Sequence, residues 1–135
     1  MIIACRLFFS VVLVTMLVTT TWAGWQVPLW EIPGEVGRHP WFIATLVDAY
    51  WGFLTFYLWV VYRETTWSSR LLWLITILAL GNIAMAIYVL AIVLRLPSNA
   101  ASERILLRGE LQVSRWIPAG LMGALLAISG LAALS

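Results

Sequence analysis

Leu71-Leu72-Trp73-Leu74-Ile75-Thr76-Ile77-Leu78-Ala79-Leu80-Gly81-Asn82-Ile83-Ala84-Met85-Ala86-Ile87-Tyr88-Val89-Leu90-Ala91-Ile92-Val93-Leu94 is a run without a charged side chain. A helix over residues 71–94 extends ~36 Å at 1.5 Å per residue, more than the ~30 Å hydrocarbon core of a bilayer. The stretch therefore predicts a membrane-crossing helix, in which Asn82 is the one strongly polar side chain.

The neighbouring sequence has the same character. Trp41 to Tyr62 is a second apolar run, joined to the first by the short polar connection Arg63-Glu64-Thr65-Thr66-Trp67-Ser68-Ser69-Arg70. So short a link makes the two helices antiparallel neighbours. Leu7 to Ala23 follows Arg6 and ends in Thr21-Trp22-Ala23, like the apolar segment of a signal peptide before a small residue. It reads as a signal anchor. Trp116 to Leu134 is just long enough to be a further span. The expected fold class is all-α: a polytopic transmembrane bundle of about four spanning helices at 7–23, 41–62, 71–94 and 116–134. Residues 1–135 then form a single membrane domain with surface loops at 24–40 and 95–115.

Composition supports lipid as the solvent. The chain is 63% hydrophobic and 10% charged, with a mean hydropathy of +0.97, whereas a soluble domain is roughly half apolar and a quarter charged. Every basic residue is an arginine, at positions 6, 38, 63, 70, 95, 104, 108 and 115, each at or near the end of an apolar run. A net charge of +2 spread over every loop, with no basic face, excludes nucleic acid as a partner. One cysteine, Cys5, excludes an internal disulfide and a Cys-rich metal site. Its plain reading is a small apolar residue near a helix start, with palmitoylation at a membrane boundary as the alternative.

Between the first two runs, Pro28, Pro33, Gly34, Gly37 and Pro40 predict a turn-rich loop. Trp22, Trp25, Trp30 and Trp41 around it suit an aromatic belt at the membrane boundary. After Pro97-Ser98-Asn99, residues 101–115 mix Glu103, Arg104, Arg108 and Glu110 with apolar residues that gather on no clean face. That segment reads as partly helical and close to headgroups. The signal-like start places the N-terminus inside. With four spans, however, Arg38, Arg95, Arg104, Arg108 and Arg115 would lie outside, against the tendency of arginine to gather inside.

Candidate sites are few. Asp48 lies fifteen residues before Arg63 and Asn82 twelve after Arg70, so their depths differ by only ~5 Å at 1.5 Å per residue. They are expected to pair across the two helices. Asp48 shares a face with Thr45, Gly52 and Thr55. The pair has two readings: a clamp fixing helix register, or a proton carrier or general acid at Asp48 with Asn82 assisting. His39, Trp41, Arg63 and Glu64 are expected in interfacial loops, His39 facing headgroups or starting a helix. His39 with Glu31 and Glu35 offers too few ligands for a metal site. In the last run, Ala119, Gly120, Gly123, Ala124 and Ala127 form a helix-packing interface, since small residues four apart allow backbones to approach closely.

Three stretches carry a family resemblance. His39-Pro40-Trp41-Phe42-Ile43-Ala44-Thr45-Leu46-Val47-Asp48-Ala49-Tyr50-Trp51-Gly52-Phe53, then Trp59-Val60-Val61-Tyr62-Arg63-Glu64, then Leu80-Gly81-Asn82-Ile83-Ala84 resemble a domain-of-unknown-function family of small bacterial membrane proteins. The resemblance covers about Trp22 to Leu96. It implies a three-helix bundle with the His-Pro-Trp-Phe turn at one face and the Tyr-Arg-Glu turn at the other, and it implies no activity. The Arg-rich segment and the last helix read as an addition.

Nine tryptophans, a small-residue helix suited to docking and the lack of a soluble domain favour a non-catalytic accessory subunit or assembly factor of a larger, energy-converting membrane complex. The rivals are a small membrane enzyme or proton relay acting on a lipid or isoprenoid through Asp48, with Asn82, His39 or Glu35 assisting, and an oligomeric small transporter. Expected partners are membrane lipids and other transmembrane subunits, in the bacterial inner membrane. No cofactor is expected. A bound lipid or pigment stays open, although no second histidine is available to ligate a chromophore.

Overall fold

The computed structural model describes residues 2–28, 31–96 and 113–132. They form six helices: α1 (Ile2–Gln26), α2 (Gly34–Arg38), α3 (Pro40–Arg63), α4 (Trp67–Leu80), α5 (Asn82–Val93) and α6 (Trp116–Ala132). The all-α expectation is met, and the expectation of four spans is not. Among the described residues two helices are long and apolar enough to cross a membrane: α1 with 25 residues and α3 with 24. The run 71–94 is broken in the middle, giving α4 with 14 residues and α5 with 12. At 1.5 Å per residue these reach ~21 and ~18 Å, short of ~30 Å of hydrocarbon. α6, with 17 residues, also falls short, at ~25 Å. The expected loop 24–40 contains the short α2, and most of 95–115 lies outside the described residues.

Gly81 breaks the run. Its φ of +53° and ψ of −127° lie where a side chain is strained. A Cβ there would also come within 2.6 Å of the Phe53 ring. Helix α4 ends as the Gly81 N–H donates to the Ile77 carbonyl at 2.7 Å, and α5 begins beyond it. Trp73 and Tyr88 would be ~22 Å apart along a straight helix, yet their ring centroids are 4.8 Å apart. The chain therefore folds back at Gly81, and α4 and α5 form a hairpin that returns to the end it left.

Helix α3 opens with Pro40 in its first turn, where the missing N–H costs nothing. His39 stands at the N-cap without a side-chain cap bond. α3 runs antiparallel to α4: the Tyr57 hydroxyl donates to the Arg70 carbonyl at 3.0 Å near one end, and Phe53 meets Gly81 further down. α1 packs mainly on α5. Arg6 near its start reaches carbonyls at and just beyond the end of α5, donating from Nε to Val93 at 3.0 Å and from Nη2 to Leu96. A guanidinium there satisfies orphan carbonyls and favours the negative end of the helix dipole. α1 and α5 are thus antiparallel.

The core lies between these helices. Val60, Trp73, Ile77, Tyr88, Ile92 and Val93 are fully buried, and Ile2 joins them from α1. Tyr88 is its hub, edge-to-face with Phe56, Trp59 and Trp73. The topology gathers Arg6, Arg63, Arg70, Arg95 and Arg115 at one end of the molecule, and of the described arginines Arg38 alone belongs to the other. The halves of α1 and α3 remote from the arginine end project with apolar side chains outward, including Val18, Trp22, Trp25, Trp41, Val47 and Trp51.

Candidate functional site

The polar centre of the molecule sits where α3 passes into α4. Arg63 and Glu64, expected in an interfacial loop, are instead 2% and 1% exposed. The reason is local: the turn is short, and the returning hairpin brings α5 over it. Glu64 extends the last turn of α3, its N–H donating to the Val60 carbonyl at 2.8 Å, while its carbonyl accepts from Arg70 Nε at 2.8 Å. Its side chain accepts three more bonds. Ser69 Oγ donates to Oε2 at 2.7 Å; the Tyr88 hydroxyl at 3.0 Å and the Val113 N–H at 3.3 Å donate to Oε1. One carboxylate thereby ties together the end of α3, the first turn of α4, the middle of α5 and the strand of chain leading into α6.

Such a buried carboxylate is tolerable because donors replace the lost water. Burial, and then the Glu64 carboxylate beside it, push the Tyr88 phenol well above its ordinary value, with Arg63 opposing. Tyr88 therefore stays protonated and remains a donor. Arg63 lies over the Trp59 ring, 5.2 Å from its centroid. Beside the centre is a cleft of about 280 Å³ lined by Glu64, Thr66, Ser69, Ser114, Arg115 and Trp116. Trp67 and Trp116 stand exposed at this end with Arg70 and Arg115 against them.

The other expected site residues are dispersed. Asp48 and Asn82 are both exposed, and no hydrogen bond joins them among the described residues. Depth matched them, but azimuth does not. α3 packs through Phe53, Phe56, Tyr57 and Val60, and at 100° per residue Asp48 stands ~140° away from Phe53. His39 and Trp41 lie exposed at the opposite end from the polar centre. Gly120, Gly123, Ala124 and Ala127 are exposed and Ala119 half-buried; a side chain added at Gly120 or Gly123 would meet open space. Among the described residues no group of three His, Cys, Asp or Glu side chains could hold a metal ion.

Sequence reasoning missed Tyr88 and Ser69, which read as ordinary members of an apolar run and a polar loop. A signal was present in Gly81-Asn82, a helix stop beside a polar residue. Reading it as a break would have turned α5 back toward Glu64.

No curated protein and no solved structure matches the chain. A family profile described as "Protein of unknown function (DUF1475)" matches residues 2–115. That match is wider than the resemblance over Trp22 to Leu96, taking in α1 and the Arg-rich segment that reads as an addition from sequence alone, and leaving α6 beyond it. With most of its length covered, the chain belongs to the DUF1475 family.

Proposed function

We propose that this is an integral membrane protein anchored by α1 and α3, acting as a non-catalytic accessory subunit or assembly factor of a larger membrane complex. The observation that carries the reading is the outward face of the two long helices. Both are apolar, few of their residues are fully buried, and most of their side chains are exposed. Trp25 and Trp41 at one end are 86% and 79% exposed, and Trp67 and Trp116 at the other are 81% and 73% exposed. Two tryptophan girdles around an apolar middle suit a bilayer, and an exposed small-residue stripe on α6 suits helix docking.

The non-catalytic part rests on how the acids are used. Glu64 is committed to three internal donors, and its cleft of about 280 Å³ falls just below the usual size of ligand pockets, roughly 300–1,000 Å³. Five arginines at one end and Arg38 at the other support a cytoplasmic arginine end, which now agrees with the signal-like start. The same start supports the bacterial inner membrane as the location.

Extraction from the native membrane in mild detergent is the test. A tagged protein should migrate with a partner at fixed stoichiometry, well above the micelle-bound mass of a 15.2 kDa chain. Migration as a lone monomer across several mild detergents would overturn the reading.

A further inference from the structure

Among the described residues, Asp48 is the charge furthest from either end of the helices. It lies fifteen residues from Arg63 and eight from Pro40 within α3, ~22 and ~12 Å from the two ends at 1.5 Å per residue. It is exposed, and it shares a stripe with Thr45, Gly52 and Thr55, all exposed as well. The two threonines turn their hydroxyls back onto their own helix, donating to the Trp41 and Trp51 carbonyls at 2.8 and 2.9 Å. Gly52 faces open space. The stripe thus offers a close backbone approach and one uncompensated acceptor.

On the membrane reading, on which this inference rests, an exposed carboxylate at that depth is costly and requires a partner. Asn82 does not supply one. Among the described residues a second copy of this chain offers none either: the chain contains no lysine, and every described arginine lies at one end or the other. We propose that the Thr45–Asp48–Gly52–Thr55 face of α3 docks a transmembrane helix of a different protein, and that this helix carries a lysine or arginine near mid-membrane that pairs with Asp48. Gly52 sets the close approach, and the charge pair sets depth and partner choice, since a helix lacking the cation leaves the carboxylate against hydrocarbon.

The probe is a set of synthetic Leu/Ala-rich transmembrane peptides with Lys, Arg or Leu at the centre, or Lys two turns off centre. The full-length protein is reconstituted in phosphatidylcholine–phosphatidylglycerol vesicles, and association is read by energy transfer between labels. Central Lys and Arg peptides should bind at least tenfold more tightly than the Leu peptide or the displaced Lys peptide. Asp48→Leu should erase that preference, and Gly52→Leu should weaken binding of every peptide. Because Asp48 and Gly52 are exposed, thermal unfolding of both variants should match the parent. Equal binding of Lys and Leu peptides, a Lys preference that survives Asp48→Leu, binding by none of them, or Asp48-dependent pairing of two copies of this chain would each overturn the proposal. Thiol labels at Ser68 and Glu35 reacting from the same side of those vesicles would instead show that α3 does not cross, a failure of the membrane reading itself.

Discussion

The Tyr88 hydroxyl donates to Oε1 of Glu64 at 3.0 Å across 24 residues of sequence. This bond is possible only because the apolar run between them reverses direction. It makes the one buried carboxylate among the described residues the acceptor for the helix that folds back over it.

Removing that acceptor should therefore be severe. Glu64→Ala strands the Ser69 hydroxyl, the Tyr88 hydroxyl and the Val113 N–H, and each buried unsatisfied group costs ~1–3 kcal/mol. A loss of about 3 kcal/mol or more is expected in detergent-based unfolding titrations. Tyr88→Phe should cost about 1–2 kcal/mol, and the double variant less than the sum, as for partners in one network. An additive cycle would mean that the two side chains act independently.

Gly81→Ala should be nearly as damaging for a different reason. The substitution adds backbone strain, ~1–3 kcal/mol for a non-glycine residue in such a conformation, to a collision with the Phe53 ring at 2.6 Å. Phe53→Ala in the same chain relieves the collision and leaves the strain, so partial rescue is expected. Full rescue would show that the turn tolerates a side chain, and no rescue that Phe53 can already move aside.

Arg6→Lys should not substitute for arginine. Arg6 bonds the Val93 and Leu96 carbonyls through two different nitrogens, a forked reach that a single ammonium does not reproduce. Both Arg6→Lys and Arg6→Gln should raise hydrogen exchange in the last turn of α5, Gln more than Lys. Unchanged exchange there would remove Arg6 as the cap of that helix.

The two outer elements were legible because a long apolar run between polar ends has one reading. Residues 7–23 and 41–62 fall inside α1 and α3, and Pro40 marks the start of α3. The third run reads as one span because hydropathy averages over Gly81, whose effect is conformational: one residue reverses the helix while the composition on both sides stays apolar. From that reversal the other errors follow. Glu64 reads as a surface residue because nothing in the sequence brings Tyr88 to it, and Asp48 reads as the partner of Asn82 because depth can be counted from a loop whereas azimuth depends on which face packs.

The same reversal makes a sharp prediction about sidedness. In a bundle whose 71–94 run crossed the membrane, residue 94 would emerge beside residue 35. With the hairpin, Leu94 returns to the end that holds Ser68, while Glu35 in α2 precedes α3 at the opposite end. All three positions are exposed, so a cysteine at any of them is reachable. In a Cys5→Ser background each single thiol can be probed with a membrane-impermeant maleimide on sealed right-side-out and inside-out vesicles. Glu35→Cys should react in one preparation, and Ser68→Cys and Leu94→Cys together in the other. The arginine distribution adds the sign: Arg6, Arg63, Arg70, Arg95 and Arg115 belong to the Ser68 end, so those two thiols should be the cytoplasmic pair, reacting in inside-out vesicles. Leu94 reacting alongside Glu35 would mean that the chain crosses between residues 68 and 94 in the bilayer, and the contact between Tyr88 and Glu64 would fall with it.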